Sequence, residues 1–105
     1  MQGPGKAVDF GYLEGFTAGD RQVIGEVLAL FRQQAEVWTA SLDAADDGWR
    51  DLVHTIKGSA RGIGANPLGD VCAEAEAQGP SALPAVRTAL DAAVAEIAAY
   101  QAASL

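Results

Sequence analysis

Apolar residues recur at helical spacing in one stretch after another of this chain, and each stretch stops at a cluster of Gly, Pro, Asn or Asp. No segment alternates apolar and polar residues as a half-buried strand would. The longest stretch starts at Asp20, a natural N-cap, and carries the stripe Val23, Val27, Leu30, Gln34 and Trp38, widened by Ile24, Phe31 and Leu42. The cluster from Asp43 to Gly48 breaks it. A second helix spans about Asp47 to Gly64 and ends at Asn66-Pro67, because the residue before a proline avoids the α region. Leu68 to Gln78 reads as a third helix, and Gly79-Pro80-Ser81 as a turn with Ser81 as cap. The last helix sets Leu83, Val86, Leu90, Val94 and Ile97 on one seam through to Tyr100. Ahead of these, Asp9 caps a short segment bearing Phe10, Leu13 and Phe16 that ends at Ala18-Gly19, and Met1 to Ala7 is expected to be a disordered tail. Four amphipathic helices with short connections predict an all-α, up-and-down antiparallel four-helix bundle. With 105 residues, half of them apolar, residues 8–105 can build one core and not two.

The charge balance narrows the possible partners. A net charge of −7 is a poor match to nucleic acid, whose binding depends on neutralised phosphates. Cys72 is the single cysteine, so no internal disulfide forms, and its apolar helical setting predicts a buried thiol in a reducing compartment. The start of the chain is Gly- and Pro-rich, without the apolar region of a secretory signal, and no apolar run approaches membrane-spanning length. These features predict a cytoplasmic protein with no membrane or nucleic-acid role.

His54 is the only histidine, and it opens the run His54-Thr55-Ile56-Lys57-Gly58-Ser59-Ala60-Arg61-Gly62-Ile63-Gly64. At about 100° per residue, Trp49, Leu52, Val53, Ile56, Ala60 and Ile63 lie within about 60° of one direction, and His54 points about 140° away from it. Lys57, Arg61 and Arg50 share that outward sector, so three of the seven Lys and Arg residues of an acidic chain surround one imidazole. Such a group can act as a nucleophile provided one ring nitrogen stays unprotonated, and the cations offer positive potential to an incoming anion or acidic partner. Gly58, a poor helix former, stands one turn beyond His54 on the same face, where it leaves room for something bulky. Arg50 and Arg61 fit either docking or mere solvation. Ser59 points away from His54 and reads as structural, through a cap or interhelix hydrogen bond. Gly64 turns back toward the core and reads as a packing glycine, and Trp38 and Trp49 read as core aromatics.

The run resembles the signature of histidine-containing phosphotransfer domains: a phosphoaccepting histidine, Lys-Gly at the third and fourth following positions, then Ser, and a Gly ten residues on. His54, Lys57, Gly58, Ser59 and Gly64 all match. Asp46-Asp47-Gly48-Trp49 is similar to the family's acidic turn and aromatic helix start. Phe31, Leu68, Cys72 and Glu76 also suit family positions, so the resemblance covers roughly Asp20 to Tyr100. It implies that His54 accepts a phosphoryl group with Lys57 as electrostatic support, and that the short N-terminal helix lies over one end of the bundle. It further implies a carrier that moves phosphoryl groups reversibly between receiver-domain aspartates of response regulators, hybrid histidine kinases included. Magnesium is then expected from the receiver and no cofactor from this chain, which is expected to be a monomer and not a kinase.

Other motif readings fail. Lys57-Gly58-Ser59 has the wrong order for a Walker loop, and Gly62-Ile63-Gly64 lacks the third glycine of a dinucleotide fingerprint. One His and one Cys cannot supply an ordinary transition-metal site. The alternative from a different class is an adaptor that binds a receiver or kinase through a bundle face without being phosphorylated.

Overall fold

The computed structural model describes residues 7–43 and 47–103. Among the described residues five α-helices follow one another: α1 (Phe10–Phe16), α2 (Arg21–Asp43), α3 (Trp49–Gly62), α4 (Asn66–Gln78) and α5 (Leu83–Ala103), with a 3₁₀ turn, Pro80–Ala82, before the last. No strand occurs among the described residues. The fold is an all-α bundle in which α2, α3, α4 and α5 close a ring, each packed on the next and α5 on α2.

The expected caps form at the N-termini of α1 and α2. Asp9 Oδ1 accepts the backbone N–H of Tyr12 at 3.1 Å, and Asp20 Oδ1 accepts those of Gln22 and Val23 at 3.0 and 3.2 Å. Both satisfy N–H groups that have no partner within their own helix. Two boundaries differ from expectation. Asn66 and Pro67 open α4 instead of closing α3, because a proline in the first helical turn forfeits only an N–H that is orphaned anyway. Ser81 lies inside the 3₁₀ turn, and α5 begins at Leu83.

The core is apolar throughout, with no buried polar or charged side chain among the described residues. Leu28, Ile56, Leu68, Leu90 and Ile97 are sealed from solvent, and Trp38 meets Phe31 edge-to-face at 5.5 Å. On α2 the buried line is Ile24, Leu28, Phe31, Ala35, Trp38 and Leu42. Of the stripe read from the sequence, Trp38 and the widening residues Ile24, Phe31 and Leu42 are in this line, whereas Val23, Leu30 and Gln34 are exposed and Val27 half-buried. On α5 Ala93 takes the core position and Val94 is half-buried. Trp49 is also half-buried, with the Arg50 guanidinium 4.6 Å above its ring.

The N-terminal segment is fastened over one end of the bundle. The backbone N–H groups of Ala7 and Val8 donate to the Glu96 carboxylate at 2.8 and 3.1 Å, and Asp9 N–H donates to Gly64 O at 2.9 Å. Phe10 stacks on Tyr100 at 4.1 Å, and the Tyr100 hydroxyl donates to Glu14 at 2.6 Å. Ala7 is therefore ordered by contact with α5 and does not belong to a tail; the rest of the expected tail, Met1 to Lys6, lies outside the described residues, as does Asp46. Phe16 is left 76% exposed, because α1 turns only Leu13 fully inward.

Candidate functional site

His54 stands on the middle of α3 with its side chain 70% exposed. Its Nδ1 lies 3.0 Å from Glu76 Oε2 on α4. The other oxygen of the same carboxylate, Oε1, accepts from Lys57 Nζ at 2.5 Å. One carboxylate thus joins the imidazole and the ammonium, and all three groups lie along the seam where α3 packs on α4.

Lys57 departs from its expected place. The helical projection put it in the outward sector with His54, yet its side chain is only 21% exposed and folds toward α4. A flexible four-carbon stem follows the nearest countercharge, and Glu76 supplies it. The Lys57 ammonium, hydrogen-bonded to the carboxylate, holds Glu76 below the usual carboxylate range; the hydrogen bond from His54 works in the same direction, and partial burial opposes both. Arg50 is also tied to this residue, donating from Nη1 to the Glu76 backbone carbonyl.

Beside the imidazole the helix surface is bare. Gly58 is exposed, and a Cβ built on it would meet nothing within 4 Å; the same holds for Gly62, one turn further on. The space at Gly58 faces solvent, so helix packing does not account for this glycine. Gly64 is the opposite case: it is buried with φ +85°, and a Cβ there would lie 2.7 Å from the Asp9 carbonyl oxygen. Only glycine fits this turn. Ser59 faces α2 in a shallow hollow with Val27, Leu30, Gln34 and Ile63. Among the described residues its hydroxyl makes no hydrogen bond, so the expected cap or interhelix bond is absent. Arg61 is half-exposed, with Nη2 3.6 Å from Asp70 Oδ1.

The remaining nucleophile nearby is silent. Cys72 is buried one turn before Glu76, and burial pushes its thiol up to about 11, which keeps it protonated near neutral pH. Among the described residues no group of three or more His, Cys, Asp or Glu side chains could hold a metal ion, and no helix is long and apolar enough to cross a membrane.

Sequence reasoning singled out His54, Lys57 and Gly58, and the structure brings them together. It treated Glu76 only as a matching position and overlooked its contact. The signal was present: Leu68, Cys72 and Glu76 follow one another at intervals of four on the inward side of α4, so a lone carboxylate continues an otherwise apolar line. A carboxylate in such a place requires a partner.

Residues 21–100 match the Hpt domain family. A search of curated proteins found no match. Among solved structures, the crystal structure of the histidine phosphotransferase ShpA from Caulobacter crescentus superposes with a TM-score of 0.86 at 59% sequence identity, covering 93% of each chain. With a lone exposed histidine inside the matched region of a helical bundle, the chain belongs to the Hpt family, the phosphotransfer carriers of two-component phosphorelays.

Proposed function

We propose that His54 accepts a phosphoryl group from the aspartyl phosphate of a receiver domain and passes it to another receiver aspartate, reversibly. The observation that carries this reading is the exposed imidazole whose Nδ1 is engaged by Glu76 at 3.0 Å. With its proton on Nδ1 directed at a carboxylate, the ring keeps the Nε2 lone pair free and outward. That lone pair attacks phosphorus as the bond from phosphorus to the aspartyl oxygen breaks, and the oxygen leaves with the electron pair as carboxylate. Return transfer reverses these changes.

Glu76 carries the negative charge that offsets the ring's positive charge while phosphorus is bonded to Nε2, as a carboxylate does for any imidazolium it faces. Lys57 keeps Glu76 ionised, so the carboxylate accepts the Nδ1 hydrogen bond without taking the proton. When the phosphoryl group arrives, the same ammonium is one turn from it and can share its charge. The carboxylate that meets His54, that of Glu76, is already engaged by Lys57 and His54, a donor set unsuited to a divalent cation, so magnesium belongs with the receiver's own acidic residues.

Gly58 and Gly62 leave a bare strip along which the receiver surface can approach, and Arg50 and Arg61 border it. The chain acts as a monomer in the cytoplasm, and a hybrid kinase receiver is among its partners. It takes phosphoryl groups from receivers and does not draw them from ATP.

An adaptor role independent of phosphorylation has one observation in its favour: Leu30 and Val37 lie 54% and 64% exposed on α2. The deciding experiment mixes the protein and its His54→Gln variant with labelled phosphoreceivers. Transfer of an acid-labile, alkali-stable label to the wild type alone supports the carrier. Equal receiver binding by both proteins, with label on neither, supports the adaptor.

A further inference from the structure

Arg61 and Gly69 meet where α3 packs on α4. Gly69 is buried, and a Cβ built on it would lie 2.9 Å from Arg61 Cγ, 3.0 Å from Nε and 3.5 Å from Cδ. Those are its three nearest atoms, all from one side chain. The space that any side chain at position 69 would claim is therefore filled by the arginine stem. A glycine inside a helix weakens it relative to alanine, so this position gives up helix stability, and what occupies the vacated space is Arg61.

The arginine held there is not fully used by the fold. Its Nη2 is 3.6 Å from Asp70 Oδ1, and both side chains are about half-exposed or more; an ion pair of that kind contributes little to stability. Of the three cations flanking His54, Arg50 and Lys57 are both committed to Glu76. Arg61 makes no bond to Glu76, and its half-exposed side chain lies in the outward sector of α3, about two turns or roughly 10 Å beyond His54.

We propose that Arg61 is a specificity-determining contact for an acidic residue on the docking receiver, and that Gly69 is its positioning residue. The inference rests on the carrier reading for its partner. A stem laid in a slot loses less conformational freedom on docking than a free one. The planar guanidinium can then take a carboxylate through two hydrogen bonds. In a chain of net charge −7, one fixed cation at the edge of the strip discriminates among protein partners by the charge they bring to that point.

A double-mutant cycle tests this with wild type, Arg61→Ala, Gly69→Ala and the double variant. Each is measured for the Kd of the receiver at low and high salt, for label transfer to His54, and for thermal unfolding. Arg61→Ala should raise Kd several-fold at low salt and by less at high salt. Gly69→Ala should displace the arginine and reproduce part of that rise, yet add nothing once Arg61 is gone, because its effect passes through that side chain. The double variant should melt no lower than Arg61→Ala, since the atoms nearest a Cβ at position 69 have been removed.

A wild-type Kd for Arg61→Ala overturns the proposal. So does a Gly69→Ala penalty, in Kd or melting temperature, that is equal with and without Arg61, which would assign the glycine to helix packing. Binding and transfer are read separately. The predicted Kd cycle without label on His54 would sink the carrier reading and leave the docking contact standing; label on His54 with a flat Kd cycle would do the reverse.

Discussion

Lys57 Nζ and His54 Nδ1 are bound to opposite oxygens of one carboxylate, that of Glu76, at 2.5 and 3.0 Å. The lysine is therefore coupled to the histidine through α4, in addition to being one turn away on α3. Removing any member changes the charge seen by the other two.

His54→Gln should abolish phosphoryl uptake and leave the fold intact, with a stability change within about 0.5 kcal/mol, because an exposed side chain contributes little to the core. Label transfer together with thermal unfolding checks this. Label retained on the variant would place the acceptor elsewhere.

Glu76→Ala should slow transfer by about tenfold to a hundredfold, the usual effect of removing a partner that orients a reactive imidazole. Glu76→Gln should lose less, since its amide oxygen still accepts the Nδ1 hydrogen bond. With one histidine in the chain, the ring ¹⁵N spectrum reports His54 alone. The wild type should show a protonated Nδ1, and Glu76→Ala a shift toward the other tautomer.

The Lys57–Glu76 pair should also leave a mark on acid stability. Glu76 has its folded-state value lowered, first by the Lys57 hydrogen bond, so the unfolded chain binds its proton more readily than the folded one. The resulting stabilisation is fully present above the ordinary carboxylate range and is lost as pH falls through the lowered folded-state value. Melting curves in acid should show this loss for the wild type and a smaller one for Lys57→Ala. Lys57→Ala should in addition slow phosphotransfer without eliminating it.

Gly58→Ala should stabilise the protein by up to about 1 kcal/mol, since alanine is the better helix former and its Cβ meets open space. Gly58→Gln should remain folded while transfer from a receiver falls sharply. A stable and fully active Gly58→Gln protein would defeat the docking role of this glycine.

Gly64→Ala should behave in the opposite way. The left-handed φ of +85° and the 2.7 Å approach to the Asp9 carbonyl predict a loss of about 1–3 kcal/mol, read as a lower melting temperature. Transfer by the fraction that remains folded should be close to normal.

Helix content and the reactive face of α3 were legible in the sequence, because periodicity is local: the spacing of Val53, Ile56 and Ala60 fixes an inward side and sets His54 opposite. The α2 face was legible only in part, for a definite reason: Trp38, Ile24, Phe31 and Leu42 were in the stripe read from the sequence, and its centre was not. Two apolar lines run along that helix about 100° apart, one through Val23, Val27 and Leu30 and one through Ile24, Leu28 and Phe31. Helical period alone cannot rank them. Packing against α3 and α5 turned inward the line that carries Phe31, Trp38 and Leu42.

The site divides along the same boundary. Local spacing was enough to specify a helical chain with one imidazole facing outward, a glycine one turn beyond it, and cations nearby. Packing between elements was needed to turn Lys57 aside to Glu76, to lay Arg61 across Gly69, and to lock Gly64 against Asp9. Each of these contacts joins residues on different elements, and a long side chain settles where the countercharge or the space is, which no spacing within a single helix can specify.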